Sequence, residues 1–442
     1  MSNTTHEQTG PRIEVHPVKA LIDEPVAIRL SGFGANQRAT LRARMGQNWA
    51  AHASFLTDAQ GVADIGTQQP LDGTYDRADP MGLFWSMALP PDVEFQPSAM
   101  PALSPHASLV VRFEAEVEGA PVASVQVERQ LMAPDVTRQE IRQDGIVATF
   151  FRPPGAGPHP TVMVVSSSDG GVPEAQAALF ASHGFTALAL AYLGIPPFPP
   201  TLVEIPLEYF GSALQWLAKQ EGVNPHAIAV TGASKGGELA LLLGATFPEI
   251  RAVVAYTPSG VLWQGQQVMG VQPAEPRAAW TLDGKPLPFL RYPTPPSARH
   301  TPRTATAPSL LAALRDVEAV EHATIPVERT RGPILLITGQ DDPLWPAELA
   351  EIAIRRLAKQ RFPFPVEHLS YPGAGHLIFF PPYGPTTIRF LRHPVLKRTF
   401  HYGGTTAGDA FARADSWPKV LAFLRRSLEQ EDGNSEPREG VP

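Results

Sequence analysis

Residues 227–247 read Ala227-Ile228-Ala229-Val230-Thr231-Gly232-Ala233-Ser234-Lys235-Gly236-Gly237-Glu238 and on through an apolar run to Phe247. An apolar strand, a turn written G-x-S-x-G and a helical run follow one another without a gap. The pentapeptide alone is weak, because ordinary Gly and Ser usage produces one by chance in roughly one chain in six of this length. Its setting is what counts. A strand–turn–helix with serine at the apex is the nucleophile elbow, where a side chain at the flanking glycines would collide with the returning backbone. The serine hydroxyl is thereby lifted above the end of a sheet, beside the positive end of a helix.

Working outward, the chain from Val136 alternates strands with helices. Thr161–Val165, Thr186–Ala191, Ala227–Val230, Ala252–Tyr256 and Ile334–Ile337 are short apolar runs of the kind that a strand covered on both faces requires. Between them, Glu174–Ser182, the Leu207/Phe210/Leu214/Leu217 stripe, Glu238–Phe247, Ala347–Gln360 and a last stripe from Trp417 to Leu428 have helical spacing. The expected fold is a doubly wound, mostly parallel α/β sheet of the α/β-hydrolase type over 136–428. Residues 258–328 interrupt it as a proline-rich insertion, placed to cap the site. Residues 1–135 read differently, with short alternating runs such as Thr40–Met45, Ser108–Val117 and Val122–Leu131 separated by turn clusters. This pattern predicts an N-terminal β-sandwich. Residues 429–442 are polar and read as a disordered tail.

A serine needs a base and an orienting acid, and in this fold they follow in the order Ser, acid, His. Ile334–Ile337 runs into Thr338-Gly339-Gln340-Asp341-Asp342-Pro343, which offers two acids after a late strand. Asp342 is the better placed of the two, and Asp341 reads as a turn residue. Downstream, Tyr371-Pro372-Gly373-Ala374-Gly375-His376 places His376 after a strand and a glycine turn. His368 lies within a strand, and His393 and His401 lie in a loop region. The expected triad is Ser234, Asp342 and His376. An oxyanion hole needs two backbone N–H groups. One is that of Lys235. The other comes from Ser166-Ser167-Ser168-Asp169-Gly170-Gly171, at Asp169 or Gly170. Lys235 and Glu238 otherwise read as a surface or local ion pair.

Composition narrows the chemistry. The 442 residues include no cysteine, which excludes a thiolate nucleophile, a disulfide framework, a thiolate zinc site and an iron–sulfur cluster. Neither a metal nor another cofactor is expected. The net charge of −7 argues against a nucleic-acid partner. No apolar run reaches the ~18 residues of a membrane span. Residues 1–10 are polar and the chain ends Gly440-Val441-Pro442, so the expected location is cytoplasmic. The 48 prolines, about 11% of the chain, are roughly twice the usual share. They cluster at element ends and in the insertion.

With these residues in view, Gly232-Ala233-Ser234-Lys235-Gly236-Gly237-Glu238-Leu239 resembles the nucleophile segment of type I acyl-CoA thioesterases, a family that includes the bile acid-CoA:amino acid N-acyltransferases. The resemblance runs through Asp23-Glu24-Pro25-Val26, Asp79-Pro80-Met81-Gly82-Leu83-Phe84-Trp85, Phe151-Arg152-Pro153-Pro154-Gly155, Leu188–Tyr192, Leu207–Phe210, Ile325–Arg329, Gly339–Trp345 and Gly375-His376 with Pro381-Pro382-Tyr383. It implies the same triad and acyl-CoA as substrate. Asp169 departs from a loop that is usually more uniformly glycine. In that family the hydrolysing members carry serine and the conjugating branch cysteine, so the resemblance implies water as acyl acceptor. The alternatives are an acyltransferase to an amine, an esterase on another acyl ester, and a non-enzymatic binding protein.

Overall fold

The computed structural model describes residues 10–90, 105, 107–266, 275–292 and 306–429. The tail expected over 429–442 lies almost wholly outside them. Two compact units are present. The first comprises Met1–Ala133, Phe380–Leu391 and Thr405–Ala414, and the second comprises Pro134–Phe379, Arg392–Gly404 and Asp415–Pro442.

In the first unit, β1 (Arg12–His16), β3 (Ala27–Ser31) and β6 (Ala63–Asp64) form one sheet. A second sheet has the order β2-β9-β8-β4-β5-β7, from β2 (Lys19–Leu21), β4 (Arg38–Met45), β5 (Trp49–Leu56), β7 (Asp72–Gly73), β8 (Ser108–Val117) and β9 (Ala120–Gln130). Alternation decides the core. Ala39, Leu41, Ala43 and Met45 of β4 and Leu109, Val111, Phe113 and Ala115 of β8 are buried, while the intervening charged residues of both strands are not. A short helix, α1 (Gly82–Trp85), is wholly buried here.

The sequence pattern assigned all of 136–428 to the catalytic domain, and the structure corrects this. Residues 380–391 and 405–414 pack within the first unit. Thr386 Oγ1 donates to the Trp85 carbonyl at 3.1 Å and Thr387 Oγ1 to that of Met87 at 2.7 Å. Such bonds join segments 300 residues apart and leave no mark on local periodicity.

The second unit holds an eight-stranded sheet in the order β10-β11-β13-β12-β15-β16-β19-β20. Its strands are β10 (Thr137–Gln143), β11 (Ile146–Arg152), β12 (His159–Val165), β13 (Thr186–Leu190), β15 (Val223–Ala233), β16 (Ile250–Tyr256), β19 (Ile334–Gly339) and β20 (Val366–Tyr371). The first two pairings are antiparallel; from β13 onward every pairing is parallel. That order, with one strand exchange near the start, is the α/β-hydrolase sheet. Helices α2 (Glu174–Ser182), α3 (Leu207–Leu217), α4 (Lys235–Thr246) and α7 (Glu348–Lys359) provide the crossovers, and α8 (Thr406–Leu428) closes the described chain.

The described part of the 258–328 insertion is more regular than its proline content suggests. It contributes β17 (Trp280–Leu282) and β18 (Lys285–Pro286) to a small ribbon with β14 (Ile205–Pro206), and the helices α5 (Ala307–Ala313) and α6 (Val317–Ala323). Trp263 and Trp280 anchor it, both at most 1% exposed.

Candidate active site

Parallel strands end at one edge of the sheet, so residues that follow β12, β15, β19 and β20 collect there. Ser234 follows β15 directly. Its φ of 56° and ψ of −120° are a strained conformation for a residue with a side chain. Glycine is what makes the turn possible. A Cβ on Gly232 would lie 2.3 Å from the Gly236 carbonyl oxygen, and one on Gly236 would lie 2.6 Å from that of Ser166. The Ser234 N–H donates to the Tyr256 carbonyl at 2.9 Å, and the Ser234 carbonyl accepts the first bond of α4 from Glu238 at 3.0 Å. The serine is thus held rigidly between strand and helix.

Asp342 lies in the turn after β19. Its Oδ1 accepts the N–H groups of Leu344 and Trp345, both at 2.9 Å, which aims Oδ2 at His376. His376 Nδ1 and Asp342 Oδ2 are 2.6 Å apart, and the two residues are 2% and 5% exposed. Asp341 is exposed and turns its backbone, not its carboxylate, to the site, with its N–H on the Ala374 carbonyl at 2.9 Å. His376 follows the glycine turn after β20. Its N–H donates to the Tyr402 carbonyl at 2.7 Å, and its ring stands among those of Phe379 and Tyr402. A hydrogen bond from Nδ1 to a fixed carboxylate leaves Nε2 as the basic nitrogen, the arrangement a general base requires.

The loop after β12 carries both oxyanion candidates. The Gly170 N–H donates to the Ser167 carbonyl at 3.1 Å and the Gly171 N–H to that of Leu193 at 3.0 Å, so both are committed. Asp169 remains. The residue as a whole is exposed, while its carboxyl is shielded from water. Desolvation of that carboxyl raises its pKa from 3.8 to about 6, against a hydrogen bond from its own N–H and the attraction of His376. Lys235 opens α4, where the first N–H groups have no intrahelical acceptor.

The Lys235 and Glu238 side chains are not on the surface. Both are 0% exposed, with Nζ 2.6 Å from Oε1. Lys235 Nζ also donates to the Trp263 carbonyl at 2.9 Å, while Glu238 accepts Trp280 Nε1 at 2.9 Å and the Trp263 N–H at 3.3 Å. Burial pushes the lysine pKa down and that of the glutamate up, and their mutual attraction opposes both shifts. The network ties the nucleophile helix to the insertion. A second pair that sequence reasoning missed is Ser168 with His393, Oγ to Nε2 at 3.0 Å. In sequence His393 reads as a loop histidine, yet it is buried within the catalytic unit. No local signal could have found it, since its partner lies 225 residues away. His368 lies within β20 and meets Thr338 Oγ1 at 2.9 Å.

Among the described residues, no group of three or more His, Asp or Glu side chains could hold a metal ion, and no helix is long and apolar enough to cross a membrane.

Comparison with known proteins gives the family of the chain. Residues 205–430 match the model "BAAT / Acyl-CoA thioester hydrolase C terminal", and residues 23–143 match "Acyl-CoA thioester hydrolase/BAAT N-terminal region". The chain is 30% identical over 422 residues to the peroxisomal succinyl-coenzyme A thioesterase of Mus musculus, covering 92% of this chain and 94% of the relative. It is 31% identical over 433 residues to the acyl-coenzyme A amino acid N-acyltransferase 1 of the same organism, covering 94% and 97%. The mitochondrial acyl-coenzyme A thioesterase 2 of Rattus norvegicus is 29% identical over 442 residues, covering 96% and 91%. A solved structure, the α/β hydrolase GrgF from Penicillium sp. sh18, overlaps 66% of this chain and 99% of its own at 17% identity with a TM-score of 0.40. Two matched models in order and relatives aligned nearly end to end make the chain a member of the acyl-CoA thioester hydrolase/BAAT family.

Proposed function

We propose that this enzyme hydrolyses acyl-CoA thioesters to the free acid and CoA through a seryl acyl-enzyme. The observation that carries the reading is the buried 2.6 Å His376–Asp342 pair, on the same sheet edge as a serine strained into an elbow. Ser234 Oγ attacks the thioester carbonyl carbon while His376 Nε2 takes its proton. The N–H groups of Lys235 and Asp169 receive the developing oxyanion. The C–S bond breaks, and His376 returns the proton to the leaving CoA sulfur. His376 then takes a proton from water, the hydroxyl adds to the acyl-enzyme, and collapse releases the acid and restores Ser234. Only protons and one acyl group move, so no cofactor is required, and a chelator should leave the rate unchanged.

Serine supports water as acceptor. Its acyl-enzyme is an oxyester, which a histidine base and water can resolve, and the chain has no cysteine to form the thioester that favours aminolysis. The N-acyltransferase relative is as similar as the thioesterases, so transfer to an amine is the second reading. A panel of acyl-CoAs and simple esters, with and without glycine or taurine, assayed with wild type and Ser234→Ala, tests both. Free acid as sole product supports hydrolysis, amide formation supports transfer, and activity retained by Ser234→Ala overturns both. The proposed compartment is the cytoplasm, which fractionation of the native host would test.

A further inference from the structure

The mechanism above leaves His393 unused. It is 7% exposed and lies edge-on to Phe400 at 6.0 Å. A tight turn encloses it, in which its N–H donates to the Arg398 carbonyl at 2.8 Å and its carbonyl accepts from the Lys397 N–H at 2.9 Å. Inside that turn its Nδ1 accepts the backbone N–H groups of Val395 at 3.2 Å and Leu396 at 3.1 Å. A ring nitrogen that accepts hydrogen bonds carries no proton, so the neutral imidazole holds its proton on Nε2. Burial above all, with the charges of His376 and Lys397, lowers its pKa to about 4, which keeps the ring neutral near pH 7.

Nε2 is 3.0 Å from Ser168 Oγ. The histidine therefore donates and the serine oxygen accepts. A hydroxyl has one proton and two lone pairs. With a lone pair held by His393, the Ser168 proton points elsewhere, and among the described residues it meets no acceptor. Ser168 is 9% exposed and immediately precedes Asp169 in the loop that approaches the elbow at Gly236. That loop is short of donors, for the N–H groups of Gly170 and Gly171 are committed and that of Asp169 is shared with its own carboxylate.

We propose that Ser168 is a further catalytic residue whose O–H donates to the acyl oxyanion, and that His393 is the positioning residue that aims it. The inference rests on the seryl acyl-enzyme reading but not on CoA as leaving group. The test therefore uses a long-chain trifluoromethyl ketone, which adds to a serine as an oxyanion-bearing hemiketal, and a p-nitrophenyl ester, neither of which contains CoA. Fluorophosphonate labelling of Ser234 verifies the nucleophile independently. Ser168→Ala should lower kcat on the ester and weaken the ketone by roughly tenfold to a hundredfold, at or below the loss on removing one side-chain oxyanion donor, with KM within about twofold. Ser168→Thr, which keeps the hydroxyl, should recover most of both. His393→Phe should weaken the ketone while leaving KM unchanged. Ser168→Ala within about twofold of wild type in kcat and ketone affinity overturns the proposal, as does an equal loss in the Ala and Thr variants, which would signify packing alone. A protein that refuses every acyl-CoA yet shows the Ser168 effect sinks the thioesterase reading and not this one.

Discussion

The buried Lys235–Glu238 pair makes a quantitative demand. Glu238→Leu removes the carboxylate that accepts Lys235 Nζ at 2.6 Å and Trp280 Nε1 at 2.9 Å, inside a region where both charged residues are 0% exposed. Lys235 then keeps the Trp263 carbonyl as hydrogen-bond acceptor and the face of the Trp280 ring, and no counter-charge. Breaking a buried ion pair from one side costs about 3–5 kcal/mol, because the abandoned charge cannot return to water. At roughly 2–4 °C per kcal/mol for a unit of this size, Tm should fall by roughly 6–20 °C. The double variant Lys235→Met/Glu238→Leu removes both charges and fills a similar volume. It should recover most of the loss, since apolar replacement of a whole buried pair is often neutral or stabilising. Circular dichroism melts at neutral pH on wild type, both single variants and the double variant measure the coupling. A Glu238→Leu protein that melts within about 2 °C of wild type would refute the claim that the pair is dry and mutually dependent. A double variant no better than its parents would refute the claim that the cost lies in the unpaired charge.

Asp342→Asn must give its side-chain oxygen to the Leu344 and Trp345 N–H groups and turn its NH2 toward His376, so Nδ1 must accept and Nε2 holds the proton; kcat should fall on the order of 10³–10⁴-fold with the fold intact, and a loss under tenfold would contradict the orienting role. Gly232→Ala places a Cβ 2.3 Å from the Gly236 oxygen, so the elbow must shift; fluorophosphonate labelling of Ser234 should slow more than about tenfold with a stability loss of about 1–3 kcal/mol, and wild-type labelling would disprove the steric argument. Asp169, with its pKa raised to about 6, stays protonated in the folded state between pH of about 4 and about 6 while the unfolded chain has released the proton. Its contribution therefore makes stability fall as pH rises through that window. Urea unfolding of Asp169→Asn across the window should show that slope removed, and an unchanged or reversed difference would contradict the assignment.

Much of the site was legible because its rules are local. Gly232 and Gly236 flank a serine between an apolar strand and an apolar helix, and steric exclusion at two neighbouring positions is written in adjacent residues. Helix Glu174–Ser182 has the bounds its pattern predicts. Asp342 could be preferred to Asp341, but not fixed, because adjacent residues differ only in where their side chains point. Two backbone N–H groups in the following turn decide it. Between Asp169 and Gly170 the sequence offers no choice, because a backbone N–H is read only through its partner; that of Gly170 meets the Ser167 carbonyl.

By itself the sequence determined five strands of the larger sheet, β12, β13, β15, β16 and β19, the helices α2, α3, α4 and α7, the strand–turn–helix around Ser234 and the succession of acid and histidine, since periodicity and glycine sterics act within a few residues. Only the tertiary structure decided that 380–391 and 405–414 belong with the N-terminal unit, that Lys235 and Glu238 are buried beneath Trp263 and Trp280, and that His393 holds Ser168. Each of these depends on a polar group leaving water and finding a partner 25 to 300 residues away. The chain's topology chooses that partner, and no window of neighbouring residues contains it.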